Sequence, residues 1–158
     1  MPARTTTIDP TTWVDAAPFA AHLGHLCSTT GLPWPVVAAY AGLPLRTAER
    51  LVPWTPARRL RRLPRSLAQQ VFAVTPEELL RLRGVWVSAE ACARRVAELV
   101  GRGIPMGRIA DQLGCSTDLV ARLADGAPAT VSAELALRAK VACETADRAS
   151  LQRVAAAA

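Results

Sequence analysis

The sequence predicts an all-α chain in which one small helical unit occurs twice. Three observations carry that expectation. Apolar residues recur at helical spacing in segments punctuated by Gly and Pro, as in Phe19, Leu23, Leu26 and Cys27. β-Branched runs and period-two alternation are absent, so no strand is expected. Two stretches share one pattern, GLPWPVVAAYAGLPLRTAERL from Gly31 and GIPMGRIADQLGCSTDLVARL from Gly103. Pro33, Val37, Ala38, Gly42 and Leu51 of the first fall opposite Pro105, Ile109, Ala110, Gly114 and Leu123 of the second. Upstream, after a one-residue shift, Trp13-Val14-Asp15-Ala16 falls opposite Trp86-Val87-Ser88-Ala89. Two copies are too few for a solenoid, so the pattern reads as an internal duplication that makes two small domains.

The elements follow in order. Residues 1–12 are expected to be a disordered arm. The first domain spans residues 13–75. Asp15 as a cap and Pro18 in the first turn start a helix over residues 16–29, and Gly31 ends it. Two short helices follow, Pro33 to Ala41 and Pro44 to Val52, with Gly42 between them. Helices that meet steeply need a left-handed residue at the turn and a small one at the crossing. Gly42 and Ala38 meet that need, and the pair reads as a helix-turn-helix. Pro53-Trp54-Thr55-Pro56 cannot continue a helix, and Pro64 to Val74 forms a further one.

Residues 76–85 are a connecting helix and linker. Thr75-Pro76-Glu77-Glu78 has the form of a capping box, and this helix is expected to end at Gly84. The second domain spans residues 86–150. Ser88 caps a helix with Cys92, Val96, Leu99 and Val100 inward. Ile109, Ala110 and Leu113, then Leu119, Val120 and Leu123, make a second helix-turn-helix around Gly114, with Ser116 as cap. Ser132 opens a long Ala-rich helix with Leu135, Ala139, Ala142 and Ala146 inward. Residues 151–158 are a tail, expected to fray from Ala155. Trp13 and Trp86, at equivalent places, are expected to act as core lids.

Charge narrows the function. The chain has 19 basic and 13 acidic residues, a formal net charge of +6. Every basic residue but Lys140 is Arg. The excess lies in residues 1–75, with eight basic and three acidic side chains, against eleven and ten in residues 76–158. Five arginines, Arg58, Arg59, Arg61, Arg62 and Arg65, follow the first helix-turn-helix closely. Such a cluster suits a polyanionic partner. Cys27, Cys92 and Cys115 occupy apolar helical positions, which suits core thiols in a reducing cytosol better than a disulfide framework. Residues 16–45 carry no charge, yet their Pro, Gly and His residues argue against a membrane span. His22, His25 and Cys27 lack a second pair of ligands, so no metal and no cofactor is expected. With both histidines in one helix and no nucleophile–base set, an enzyme is not expected.

On these residues both stretches resemble the helix-turn-helix of bacterial DNA-binding regulators. The small residue, here Ala38 or Ala110, stands four positions before the turn Gly. The string GLPLRTAERL from Gly42 resembles repressor recognition segments. The tandem arrangement over residues 13–150 is similar to helix-turn-helix proteins of actinobacteria and their phages. That resemblance implies sequence-specific binding of double-stranded DNA by a cytoplasmic, nucleoid-associated transcriptional regulator, monomeric or homodimeric. The second helix of each unit would lie in the major groove. Outward positions carried over are Pro44, Leu45, Arg46, Glu49 and Arg50, then Ser116, Thr117, Asp118, Ala121 and Arg122. Thr47 and the arginine cluster join them as candidate DNA contacts. Arg46, Arg50 and Arg122 suit guanine, and one acidic residue, Glu49 or Asp118, suits cytosine N4. Pro44 and Leu45 donate nothing, and Glu49 and Asp118 repel phosphate. The alternative is therefore a protein–protein interaction module that does not read DNA.

Overall fold

The computed structural model describes residues 12–158, so the expected arm lies almost wholly outside the described residues. The chain divides into two units, one ending at Leu79 and one starting at Leu80. In the first, β1 (Trp13–Asp15) leads to α1 (Ala17–Thr30), α2 (Trp34–Tyr40) and α3 (Leu45–Leu51). Then come β2 (Arg62–Pro64) and α4 (Arg65–Ala73); α5 (Pro76–Arg81) crosses the division. In the second, β3 (Trp86–Ser88) precedes α6 (Glu90–Gly101), α7 (Met106–Leu113) and α8 (Thr117–Ala124). β4 (Thr130–Ser132) and α9 (Ala133–Ala157) complete it. Each unit thus runs strand, three helices, strand, helix.

The chain is mostly helical, but the expectation of no strands is corrected. β1 pairs antiparallel with β2, with Val14 opposite Leu63, and β3 pairs with β4, with Val87 opposite Val131. Three-residue strands are too short to display alternation in sequence. Backbone bonds beyond the ladders support them: the Ala16 amide donates to the Arg61 carbonyl at 3.0 Å, and Ala89 to Ala129 at 2.9 Å. Leu63 and Val131 turn inward. The alternation sends Trp13 and Trp86 outward, 51% and 67% exposed, so neither is a core lid.

The cores follow the helical periodicity. In the first unit Leu23 and Leu26 of α1 are buried, as are Val37 and Ala38 of α2 and Ala48 and Leu51 of α3. In the second, Cys92, Val96 and Leu99 of α6 join Ile109, Leu113 and Leu123. Truncating a fully buried leucine such as Leu123 to Ala should cost about 2–5 kcal/mol. Helix starts follow local chemistry. Ser132 Oγ accepts the Leu135 amide at 3.1 Å, and Thr75 and Glu78 form the reciprocal capping box. Two ends differ from expectation. α5 stops at Arg81 before a turn to Gly84, and α9 remains helical to Ala157, with its residues from Leu151 exposed. No described helix is long and apolar enough to cross a membrane.

The two turns share one geometry. Gly42 has φ +72° and Gly114 φ +66°. The next amide returns five residues: Leu43 donates to the Ala38 carbonyl at 2.9 Å, and Cys115 to Ala110 at 3.0 Å. This closes the preceding helix and aims the chain into the next. Ala38 is fully buried and Ala110 is 4% exposed, so a larger side chain at either place would overpack the crossing.

Candidate nucleic-acid interface

Helix α3 is seated by Leu45, Ala48 and Leu51, all on its buried side. This corrects the expectation that Leu45 faces outward; at i, i+3 and i+6 it shares the core stripe. The opposite side carries Arg46, exposed, with Thr47, Glu49 and Arg50 half-buried. Arg46 and Arg50 stand one turn apart. Helix α8 is seated by Val120 and Leu123 and leaves Ser116, Thr117, Asp118 and Arg122 exposed. Ser116 Oγ accepts the Leu119 amide at 3.2 Å, which fixes the start of the helix. Its hydroxyl hydrogen remains available to an acceptor.

The loop after α3, residues 52–61, is tied back to that helix. Arg50 acts at both its ends of polarity: its carbonyl accepts the Leu60 amide at 2.8 Å, and its Nε donates to the Arg58 carbonyl at 3.1 Å. Thr55 Oγ donates to the Glu49 and Val52 carbonyls, which caps the end of α3. Arg59 donates to the Pro53 carbonyl at 3.4 Å, and Arg62 to the Trp13 carbonyl at 3.1 Å. The Trp54 ring lies over α1, where a Cβ on Gly24 would be 3.4 Å from it.

The predicted cluster is therefore divided in role. Arg50, Arg59 and Arg62 brace the loop and strand with part of their guanidinium groups. Arg46, Arg58 and Arg61 are exposed, and no ion pair is described for them. Arg65 is half-buried at the start of α4. The sequence showed the arginines but not this division, because a side-chain bond to a loop carbonyl has no spacing signature. Thr55 was likewise missed as a cap.

The second unit is electrostatically different. Glu134 bridges Arg83 at 2.8 Å and Arg138 at 3.0 Å, and Arg102 pairs with Glu98 and with Asp147, the latter at 2.6 Å. Residues 125–129, which follow α8, contain no basic side chain. Arg122 is left as the basic group of the α8 outer face, beside Asp118.

Other chemistry-bearing residues have structural surroundings. His22 Nε2 donates to the Val74 carbonyl at 3.1 Å, and its ring lies 5.4 Å from that of Phe72. Among the described residues no three of His, Cys, Asp and Glu converge on a metal-sized site. All four cysteines are free thiols, with Cys92 and Cys143 buried and Cys27 and Cys115 half-buried. Burial pushes the Cys27 and Cys92 thiols up to about 11. Compared with known proteins, the chain matches no family model, no curated protein and no solved structure at a significant level.

Proposed function

We propose that the chain is a sequence-specific double-stranded DNA-binding protein, a transcriptional regulator with two helix-turn-helix units that are copies of one another. The observation that carries the reading is the joining of the α3 outer face to the arginine loop through Arg50 and Arg58. It makes one cationic surface from a helix of major-groove size and a phosphate-tracking arm. Arg46 reads bases, Arg58 and Arg61 hold phosphates, and Arg50 braces the arm through Nε while its Nη groups reach a base. In the second unit Thr117, Asp118 and Arg122 read, with Ser116 on a phosphate or a base edge. The shared order of elements and the equivalent Gly42 and Gly114 support the reading of the units as copies.

The test is fluorescence anisotropy with labelled genomic duplexes over a salt series. The expected outcome is a subset of fragments bound more tightly than the rest, with affinity falling steeply as salt rises. Absence of binding to any duplex at low salt would overturn the proposal. A second reading, a protein-docking module, is favoured by Trp13 and Trp86, which stand outward at equivalent strand positions.

A further inference from the structure

The last helix differs between the units. Counted from the buried strand residues Leu63 and Val131, the end of α4 at Ala73 corresponds to Val141. α9 continues to Ala157, so its residues from Ala142 onward have no counterpart in α4. That extension forms one wall of a cleft of about 630 Å³, and the α6–α7 turn with the start of α7 forms the other. The floor includes Ile104, Ala142 and Ala146, all buried or half-buried.

Three arginines line this cleft, Arg102, Arg108 and Arg153, and no carboxylate-bearing residue does. Arg102 is neutralised by Glu98 and Asp147. Among the described residues Arg153 donates to neutral oxygens, the Ala149 carbonyl at 3.4 Å and Ser150 Oγ at 3.5 Å. No ion pair is described for Arg108, which is exposed. Two arginines on opposite walls thus flank a lining that is part apolar, with Ile104, Ala142 and Ala146, and part polar, with Gln112, Thr145 and Ser150, in a volume typical of small-molecule sites (~300–1,000 Å³).

We propose that this cleft binds a small amphipathic anion, a carboxylate or phosphate ester with an apolar body. Arg108 and Arg153 take the anionic head, and Ile104 and Ala146 take the body. A DNA phosphate shares the head-group chemistry but brings no apolar body to the floor.

The test is a titration of the ¹⁵N-labelled full chain with phenyl phosphate, with inorganic phosphate, and with a short DNA duplex, each alone. The expected result is saturable shifts of the Gly103 and Gly107 amides with phenyl phosphate, and weaker binding of inorganic phosphate. Arg108→Ala and Arg153→Ala should each weaken phenyl phosphate by about tenfold, the size of one lost charge-assisted bond. Both side chains are exposed, so the amide spectrum should otherwise be preserved. Three outcomes overturn the proposal: no saturable shift, equal affinity for the two phosphates, or shifts at these amides with duplex alone. The phenyl phosphate arm requires no DNA binding, so it can succeed where the DNA reading fails.

Discussion

The guanidinium of Arg138 lies against Gly114: a Cβ built there would stand 3.5 Å from Nη1. Gln70 takes the equivalent place over Gly42, with its Oε1 at 3.7 Å. These are ordinary van der Waals distances, so the space beside each turn admits a methyl group. What resists substitution is the positive φ. Gly114→Ala and Gly42→Ala should each destabilise by about 1 kcal/mol, and Gly114→Val by about 1–3 kcal/mol. Urea unfolding checks this. An unchanged midpoint for Gly114→Val would show that the turn tolerates a β-branched residue.

Glu134 holds Arg83 and Arg138 together, and its side chain is 13% exposed. Glu134→Ala would strand the Arg138 charge beside the turn. A loss of roughly 1–2 kcal/mol is expected, because hydrogen bonds to charged groups are stronger than neutral ones. Thermal melts should show Arg83→Ala to be milder, since Arg83 is 56% exposed.

The arginine loop should register in salt dependence. Replacing Arg58 and Arg61 with Ala should lower the slope of log K against log salt by about 2 if each neutralises one phosphate. Arg62→Ala should change stability more than slope, because its guanidinium serves the Trp13 carbonyl. Equal slopes for the double variant and the parent would return the loop to a solvated connection.

Asymmetry of the two outer faces predicts asymmetry of the site. Arg46, Glu49 and Arg50 cannot read the same bases as Thr117, Asp118 and Arg122, so the bound sequence should not be palindromic. Arg46→Ala and Arg122→Ala should relax specificity at different positions, each by about 1–3 kcal/mol if bidentate to guanine. Footprints of the parent and both variants on one mapped site read this directly. A symmetric site holding two chains would replace the model with a homodimer.

The thiols set a pH dependence. Folding raises Cys27 and Cys92 from 9.0 to about 11, mainly through burial. The unfolded chain therefore releases these protons first as pH rises. Their contribution is complete below about pH 9 and is lost progressively as pH climbs through about 11. Urea midpoints should fall over that window, and less so in a Cys27→Ala, Cys92→Ala variant. Alkylation of the native protein near pH 8 should be slow at both residues.

Helix positions were legible because Pro, Gly and Ser mark them. Gly31, Gly42, Gly114 and Ser132 fall at the ends or starts that local chemistry assigns. The strands were not, since Trp13-Val14-Asp15 acquires its conformation from a partner some fifty residues away in sequence. The outward turn of Trp13 and Trp86 follows from that same pairing. Leu45 was misplaced for a simpler reason: a two-residue neighbourhood beside Pro44 carries too little periodicity to orient the first turn. At the candidate site the arginine types were readable and their division into braces and free groups was not, because the bracing acceptors are backbone carbonyls.

The paired strands also make the connection between α3 and β2 exchangeable. α3 is held by its core stripe and β2 by β1, so both ends of residues 52–61 stay fixed whatever lies between. In the second unit the same junction is spanned by residues 125–129, about half the length. A scaffold of this kind can gain, lose or receive by graft a charged arm as long as Val52 keeps its buried place and Trp54 its position over α1. Affinity for a polyanion would then be free to diversify between the two units while their helices, and the faces those helices present, stay the same.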